Sequence, residues 1–377
     1  MELGLEREDY ELFVKDAMQN CIVVGGACKN GCVFCSCKAQ TAACRKNWTN
    51  YISEADLRSV VDFIDPTQTI YFGEGPSFLS CEPFQHPEYI KLLQVLNEYF
   101  PNTKKITTTI GKNIDPKWYS ALESCGIKFI VSVNTFDFAT RKEVMKSKDD
   151  ITGLKRLLSE HSNLIEKISL MHYGDVDILN KDLDILYNIN PDYLYKKEIL
   201  LRMTDYSIYH NEQTKQLYED GKKTWNEAVK LFDNRTTYPS YWLTSLSDFP
   251  EDVKKNEIYY NIHYARNMFK MKINAVVKDS ERILIEKEDL GFLLSESVYD
   301  YFVQEYPDLN AIRVPNLTFK GSYKVSGLLT KHDIMNAVLK HDAYKLYACS
   351  VNIFNKFNRD LHGNHVLYDY PIKLVMA

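Results

Sequence analysis

The stretch CIVVGGACKNGCVFC, residues 21–35, decides how this 377-residue chain is interpreted. Its first part, Cys21–Gly26, is a short β-branched run that ends in two glycines, which predicts a buried strand. Its second part holds Cys28, Cys32 and Cys35 in a C-x3-C-x2-C spacing. The sequence therefore predicts a sheet whose first strand is followed directly by a loop with three thiols.

Five more runs of the same kind follow before residue 204, each separated from the next by an amphipathic stretch of helical periodicity. The predicted strands are Thr69–Gly73, Lys105–Gly111, Lys128–Asn134, Lys167–Met171 and Glu198–Met203. The predicted helices are Glu54–Ile64, Pro87–Phe100, Pro116–Cys125, Asp150–His161, Lys181–Tyr187 and Asn211–Phe232, with Ser53, Asp115 and Asn180 as helix starts. This alternation predicts an α/β fold, a partial (β/α)6 TIM-like barrel.

The alternation stops after about Arg235, where prolines and aromatic residues predict a connecting loop. Beyond it, Lys272–Leu294 and Leu309–Val325 are predicted as strand-rich, and Lys331–Leu339 as a short helix capped by Thr330. We therefore expect three parts: an N-terminal helix over 1–20, a core barrel over 21–235, and a smaller, strand-rich C-terminal domain over 236–377.

Composition excludes some classes of protein. The 46 basic and 51 acidic residues give a net charge of -5, so no overall positive field favours nucleic acid as a partner. The first twenty residues lack the basic start and apolar run of a signal peptide, and no later stretch has about 18 uninterrupted apolar residues. We expect a cytoplasmic protein with no membrane partner.

Six of the nine cysteines lie between Cys21 and Cys44, and close-spaced cysteines in a large chain without an export signal indicate metal binding or redox chemistry. Three thiolates on one loop can hold three irons of a cubane cluster and leave the fourth iron open. A zinc site is the first alternative, with Cys37 or Cys44 as its fourth ligand in an α/β scaffold. The second alternative is an iron–sulfur electron carrier.

The spacing, with Phe34 directly before the last cysteine of the loop, resembles the radical S-adenosylmethionine (radical SAM) superfamily. The resemblance implies a [4Fe–4S] cluster on Cys28, Cys32 and Cys35, with Phe34 beside S-adenosylmethionine. It also implies reductive cleavage of that cofactor to a 5'-deoxyadenosyl radical, which abstracts hydrogen from a small-molecule or peptide substrate. A flavodoxin- or ferredoxin-type protein would donate the electron.

A second resemblance lies at the end of the second predicted strand, where Gly73, Glu74, Gly75 and Pro76 follow one another. The segment resembles the superfamily's glycine/glutamate motif, which contacts the amino group of the cofactor. Its middle reads Gly-Glu-Gly, whereas Gly-Gly-Glu is the commoner order. The resemblance implies that all four residues line the cofactor site.

Polar residues on three later strands are further candidates for cofactor contacts. Period-two alternation places Ser132 and Asn134 on one face of the fourth strand, and the stretch resembles the fourth strand of molybdenum-cofactor-type radical SAM enzymes. Thr108 on the third strand and Arg202 on the sixth are the other two candidates. The alternatives are an internal hydrogen-bonded pair for Ser132 and Asn134 and a structural salt bridge for Arg202.

Two cysteines outside the loop, Cys37 and Cys81, are candidates for a catalytic hydrogen-atom or redox step because they flank the predicted cluster and glutamate loops. Whether Cys21, Cys37, Cys44 or Cys81 bind a second cluster is left open, since that would need about four converging thiolates.

The segment Val314–Ile334 resembles an uncharacterised module that follows the barrel in PDZ-linked bacterial radical SAM proteins. It departs from that group at Lys320 and Lys331, where the group tends to have glycine.

Overall fold

The computed structural model describes residues 7–35, 50–75, 77, 82–146, 151–203, 212–232, 260–318, 329–350, 353, 360 and 373–376. These residues fall into two compact units. The N-terminal unit contains the described residues up to 232, and the C-terminal unit contains those from 260 onward. No helix among the described ranges is long and apolar enough to span a lipid bilayer.

The N-terminal unit is built on a six-stranded sheet in which every neighbouring pair is parallel and the strands follow their sequence order. The strands are β1 (Cys21–Ile22), β2 (Ile70–Phe72), β3 (Lys105–Thr109), β4 (Ile127–Asn134), β5 (Ile165–His172) and β6 (Glu198–Met203). This order confirms the predicted α/β fold with a partial, barrel-like sheet. β1 is shorter than the predicted run because Gly25 and Gly26 take positive φ and turn the chain away from the sheet.

Of the helices described in this unit, one precedes the strands, seven lie between them, and two follow β6. They are α1 (Arg7–Ala17), α2 (Glu54–Arg58), α3 (Tyr89–Tyr99), α4 (Tyr119–Ser124), α5 (Phe138–Val144), α6 (Thr152–Glu160), α7 (Val176–Ile189), α8 (Asp192–Lys196), α9 (Glu212–Lys223) and α10 (Trp225–Lys230). Ser53 and Asp115 cap helical turns as predicted. The prediction that Asn180 starts a helix is wrong, because Asp175 accepts hydrogen bonds from two backbone amides and begins α7 one turn earlier.

The two faces of the six-stranded sheet differ in character. One face carries fully buried side chains from all six strands, such as Ile22, Phe72, Phe129, Ile168 and Leu201. The other face carries partly exposed side chains at Lys128, Ile130 and Ser132 of β4, at Thr108 of β3, and at Glu198 and Arg202 of β6. Because side chains alternate along a strand, the first face is the hydrophobic core and the second is the face available to a ligand.

The C-terminal unit contains a second parallel sheet of four strands in the order β10-β9-β7-β8. Its strands are β7 (Leu290–Ser295), β8 (Asn310–Val314), β9 (Leu346–Cys349) and β10 (Lys373–Met376), and its helices are α11 (Tyr260–Arg282), α12 (Glu296–Glu305) and α13 (Lys331–Lys340). Thr330 caps α13 as predicted, in a capping box with Asp333.

The prediction of strands over Lys272–Leu294 is wrong for most of that segment, because Lys272–Arg282 is the end of the long helix α11. Ile273 and Val276 are β-branched, which favours a strand locally. They lie three residues apart, so in a helix both reach the same cluster as Phe292 and Phe302. Tertiary packing therefore overrides local propensity here.

Candidate functional site

The cysteine loop lies at the edge of the sheet where the parallel strands end. Cys28, Cys32 and Cys35 are thiols and all three are partly exposed. The Val33 amide donates to the Val144 carbonyl at the end of α5 (2.8 Å), and the Cys35 amide donates to the Cys32 carbonyl (3.3 Å). These bonds fix the second half of the loop against the connection that follows β4.

The side chains of the loop pack against the residues that follow β5. Phe34 and Tyr173 have ring centroids 6.1 Å apart. Cys32 and Val33 contact the same small cluster, whose buried members are Val144, Met145, Met171 and Tyr173. The loop thus rests on the carboxyl ends of β4 and β5, the edge at which α/β folds place ligands.

Two buried polar side chains, Arg141 and Tyr173, lie near Cys32, and Asp182 lies near both of them. Burial lowers the pKa of the Arg141 guanidinium, and the neighbouring Tyr173, Cys32 and Asp182 oppose that shift. Burial raises the pKa of the Asp182 carboxyl to about 6 and that of Tyr173 well above its ordinary value. A guanidinium beside a thiol stabilises the thiolate, which is the form that binds metal.

Arg141 and Asp182 also hold the turn after β4. One Arg141 nitrogen donates to the carbonyls of Val133 (2.6 Å) and Thr135 (2.7 Å), and Asp182 accepts from the Phe136 amide (2.7 Å). The hydroxyl of Tyr173 is buried and has no hydrogen-bond partner among the described residues.

The donor set fits an iron–sulfur cluster in type and number, since three thiols occupy one eight-residue loop. Among the described residues, no three His, Cys, Asp or Glu side chains are close enough together to hold a metal ion. Binding a cluster would therefore require the three thiols of the loop to turn toward one another.

The predicted glutamate motif lies directly after β2. The Gly73 amide donates to the Ile22 carbonyl (2.7 Å), which continues the pairing of β1 with β2. Glu74 is half-buried, and its Oε1 atom is buried without a hydrogen-bond partner among the described residues. Gly75 is buried against the carboxylate of Asp16. Helix α1 thus holds this loop in place.

The strand register places several of the predicted side chains on the ligand-facing side of the sheet. Thr108 pairs with Ile130, Ser132 pairs with Ser169, and Arg202 lies two residues beyond Leu200, the partner of Ser169. Since alternate residues share a face, Thr108, Ser132, Ser169 and Arg202 all point to that side. Burial lowers the pKa of Arg202, and the Glu74 carboxylate opposes that shift. The structure therefore brings Glu74 near Arg202 across the sheet.

Asn134 departs from the predicted alternation. The register shifts between Ser132 and Asn134, and Asn134 is a non-glycine residue with a φ of 61°. Its side-chain amide contacts the Ser132 carbonyl (3.4 Å) and the Met145 sulfur (3.9 Å). The period-two argument therefore holds for Ser132 but does not extend to Asn134. A strained residue at a strand end is common beside ligand sites.

Sequence reasoning missed several buried polar residues, namely Asp16, Glu82, Ser169, Tyr173 and Asp182. Glu82 accepts hydrogen bonds from the Thr109 hydroxyl and the Ile110 amide (3.1 Å), and burial raises its pKa to about 7. Only Asp16 gave a signal, because Asp9 and Asp16 are seven residues apart and share one helix face. The predicted residues Pro76, Cys37 and Cys81 lie outside the described residues.

Comparison with solved structures gives matches with low identity. SuiB of Streptococcus suis bound to S-adenosylmethionine is 14% identical, with a TM-score of 0.41, and the alignment covers 63% of this chain and 53% of that one. The similarity extends over only part of each chain. It spans about half the length of the SuiB chain.

Two further matches were solved with the same cofactor. The structure of anSMEcpe with bound AdoMet and Cp18Cys peptide is 14% identical, with a TM-score of 0.38, over 58% of this chain and 61% of that one. BtrN in complex with AdoMet and 2-DOIA is 18% identical, with a TM-score of 0.29, and the alignment covers 58% of this chain and 92% of that one. No protein-family model and no curated protein sequence matches the chain.

Proposed function

We propose that this chain is a radical SAM enzyme that holds a [4Fe–4S] cluster on Cys28, Cys32 and Cys35. One observation carries the proposal: the loop with three thiols rests on the carboxyl edge of the sheet, where the buried carboxylate oxygen of Glu74 has no partner among the described residues. Metal ligands and an unsatisfied acid at one edge of a parallel sheet are the parts of a cofactor site.

The three cysteines would hold the cluster, and Arg141 would stabilise the thiolate of Cys32. When bound, the cluster supplies the electron that cleaves S-adenosylmethionine to methionine and a 5'-deoxyadenosyl radical. Phe34, whose ring lies beside that of Tyr173, would lie next to S-adenosylmethionine.

The residues at the strand ends would bind the cofactor. Glu74 would accept hydrogen bonds from its amino group, and Arg202 would pair with its carboxylate. Gly73, Gly75 and Pro76 would shape the loop around that group. Thr108, Ser132 and Asn134 would offer hydrogen bonds to the ribose and carboxylate.

The reaction on the substrate is a hydrogen abstraction from a small molecule or a peptide, with an electron from a flavodoxin- or ferredoxin-type donor. Cys81 and Cys37 remain the proposed groups for a later hydrogen-atom or redox step. The barrel over 21–235 would hold both cofactors, preceded by the helix over 1–20 and followed by the domain over 236–377.

Metal analysis tests the cluster assignment directly. The wild-type chain, reconstituted anaerobically with iron and sulfide, should bind both, whereas the variant Cys28→Ala/Cys32→Ala/Cys35→Ala should bind neither. Cys125→Ala, which changes a buried cysteine outside the loop, should bind as much as wild type. Zinc in place of iron, or iron retained by the triple variant, would contradict the assignment.

A further inference from the structure

A pocket of about 550 Å³ lies beside the cysteine loop in the N-terminal unit. Its described lining comes from the segments that follow β1, β2, β3 and α5, namely Lys29, Asn30, Gln85, Lys112, Asn113 and Lys146. Lys29 and Asn30 lie between Cys28 and Cys32. The pocket therefore borders the loop that would carry the cluster.

The charged residues that line this pocket are all positive among those described. Three of its described residues are lysines and none is acidic. The whole chain has a net charge of -5, so the positive pocket is a local feature against the overall charge. Ammonium groups around one cavity attract an anion.

The backbone places Lys146 directly against the cysteine loop. Lys146 has a φ of 50°, an unfavourable conformation for a residue with a side chain. A β-carbon at Gly31 would lie 2.9 Å from the Cβ of Lys146, so only glycine leaves room for the lysine there. The Gln85 side chain accepts from the Lys29 amide (3.2 Å), which ties the segment after β2 to the cysteine loop.

The chemistry of the lining favours oxygen anions. The lysine ammonium groups offer charge, and the amides of Asn30, Gln85 and Asn113 offer neutral hydrogen-bond donors. A volume of about 550 Å³ lies in the range of pockets for small organic ligands, which is larger than a single inorganic ion needs.

We propose that this pocket binds a phosphate or carboxylate group of the substrate, so that the substrate is an anionic molecule. The inference rests on the proposed function for the reaction that follows binding, but binding itself needs no cluster. The carboxylate of S-adenosylmethionine has the same chemistry, so the test separates the two sources.

The first measurement is calorimetric titration of the full-length chain, without a cluster, with inorganic phosphate at low salt. Wild type should bind phosphate saturably, and Lys112→Glu and Lys146→Glu should each weaken binding at least about tenfold. Lys112→Arg keeps the positive charge and should therefore bind phosphate like wild type. Lys278→Glu, the same change on an exposed lysine of the C-terminal unit, should bind like wild type. No saturable binding by wild type, or equal binding by the charge-reversal variants, would overturn the proposal.

The second measurement is the affinity of the same variants for S-adenosylmethionine. We expect it to change by less than about twofold, and phosphate should not compete with the cofactor. A parallel loss of cofactor and phosphate affinity would assign the pocket to the cofactor and overturn the proposal. Formation of 5'-deoxyadenosine without substrate tests the proposed function alone, so phosphate binding by a chain that never cleaves the cofactor would retain the pocket and reject the function.

Discussion

A β-carbon at Gly75 would lie 2.2 Å from the Oδ2 atom of Asp16. Asp16 lies near the end of α1, is fully buried, and accepts hydrogen bonds from the Ser77 amide (3.2 Å) and hydroxyl (2.6 Å). The N-terminal helix therefore determines which residue can stand beside Glu74. This contact explains the second glycine of the Gly-Glu-Gly order.

The first prediction concerns this contact. Gly75→Ala should lower the free energy of unfolding by about 1–3 kcal/mol, because the added methyl group meets a buried carboxylate that is held by hydrogen bonds from Ser77. Urea denaturation would measure the loss. In an Asp16→Ala background the same substitution should cost clearly less, since the clash is gone. Equal costs in both backgrounds would contradict the account.

The second prediction concerns Glu74. Glu74→Gln should weaken binding of S-adenosylmethionine by about tenfold or more, because the amide loses the charge that a cationic amino group requires. Equilibrium dialysis with labelled cofactor would measure this. Glu166→Gln makes the same change at the amino end of β5, away from the cysteine loop, where Glu166 pairs with Lys104 (2.5 Å). It should leave the affinity for S-adenosylmethionine unchanged. If both variants bind like wild type, Glu74 is not a cofactor residue.

The third prediction concerns pH. The pKa of Glu82 is about 7 in the fold, against 4.5 for an ordinary glutamate, so the native state retains a proton that the unfolded chain loses. The stabilisation that protonated Glu82 gives the fold is full below about pH 4.5 and is lost as the pH rises through 7. This loss lowers the free energy of unfolding by up to about 3 kcal/mol. Glu82→Gln should remove this loss, because its Oε1 can accept from the Ile110 amide while its Nε2 donates to the Thr109 hydroxyl.

The measurement is the free energy of unfolding from pH 4.5 to 8 for wild type and variant. His172 acts in the opposite direction, because burial lowers its pKa to about 4 and stability therefore rises with pH up to about 6.5. The difference between the two curves isolates Glu82. Glu98→Gln, on an exposed glutamate that pairs with Arg58, should give a curve parallel to wild type over this range. Parallel curves for Glu82→Gln would contradict the assignment.

The fourth prediction concerns Tyr173, whose hydroxyl is buried beside Cys32. Tyr173→Phe should leave the chain without cluster as stable as wild type, since no hydrogen bond to a described residue is lost. With cluster, it should lower the reduction potential, because hydrogen bonds to cluster sulfurs favour the reduced state.

Tyr119→Phe is the matched control, because that hydroxyl is also buried and unsatisfied among the described residues but lies in α4. A redox titration monitored by electron paramagnetic resonance compares the reduction potentials of the two variants. Equal potentials for both variants and wild type would mean that Tyr173 does not reach the cluster.

The sheet of the N-terminal unit was predictable because its signals are local. Most of its strands contain β-branched residues and lie close to a glycine, such as Gly73 after β2 and Gly126 before β4, and the thiol spacing lies within eight residues. The same local reasoning failed over Lys272–Arg282, because packing against Phe292 and Phe302 stabilises a helix there.

The supports of the site were not predictable, because they join residues that are far apart in sequence. Asp16 and Ser77 are 61 residues apart, and Phe136 and Asp182 are 46 apart. Nothing local distinguishes Asp182 from the many solvated acids, and the spacing of Asp9 and Asp16 does not indicate Ser77 as the partner of Asp16. The shift at Asn134 is likewise a product of pairing with β5, which the sequence of β4 alone does not contain.

The central claim is that the loop of Cys28, Cys32 and Cys35 supports reductive cleavage of S-adenosylmethionine. The most direct test measures 5'-deoxyadenosine after anaerobic reconstitution, with dithionite as reductant, for wild type, Cys32→Ala and Cys125→Ala. We predict product from wild type and Cys125→Ala and none from Cys32→Ala. A wild-type chain with a full cluster that forms no 5'-deoxyadenosine, or a Cys32→Ala variant that forms as much as wild type, would contradict the claim.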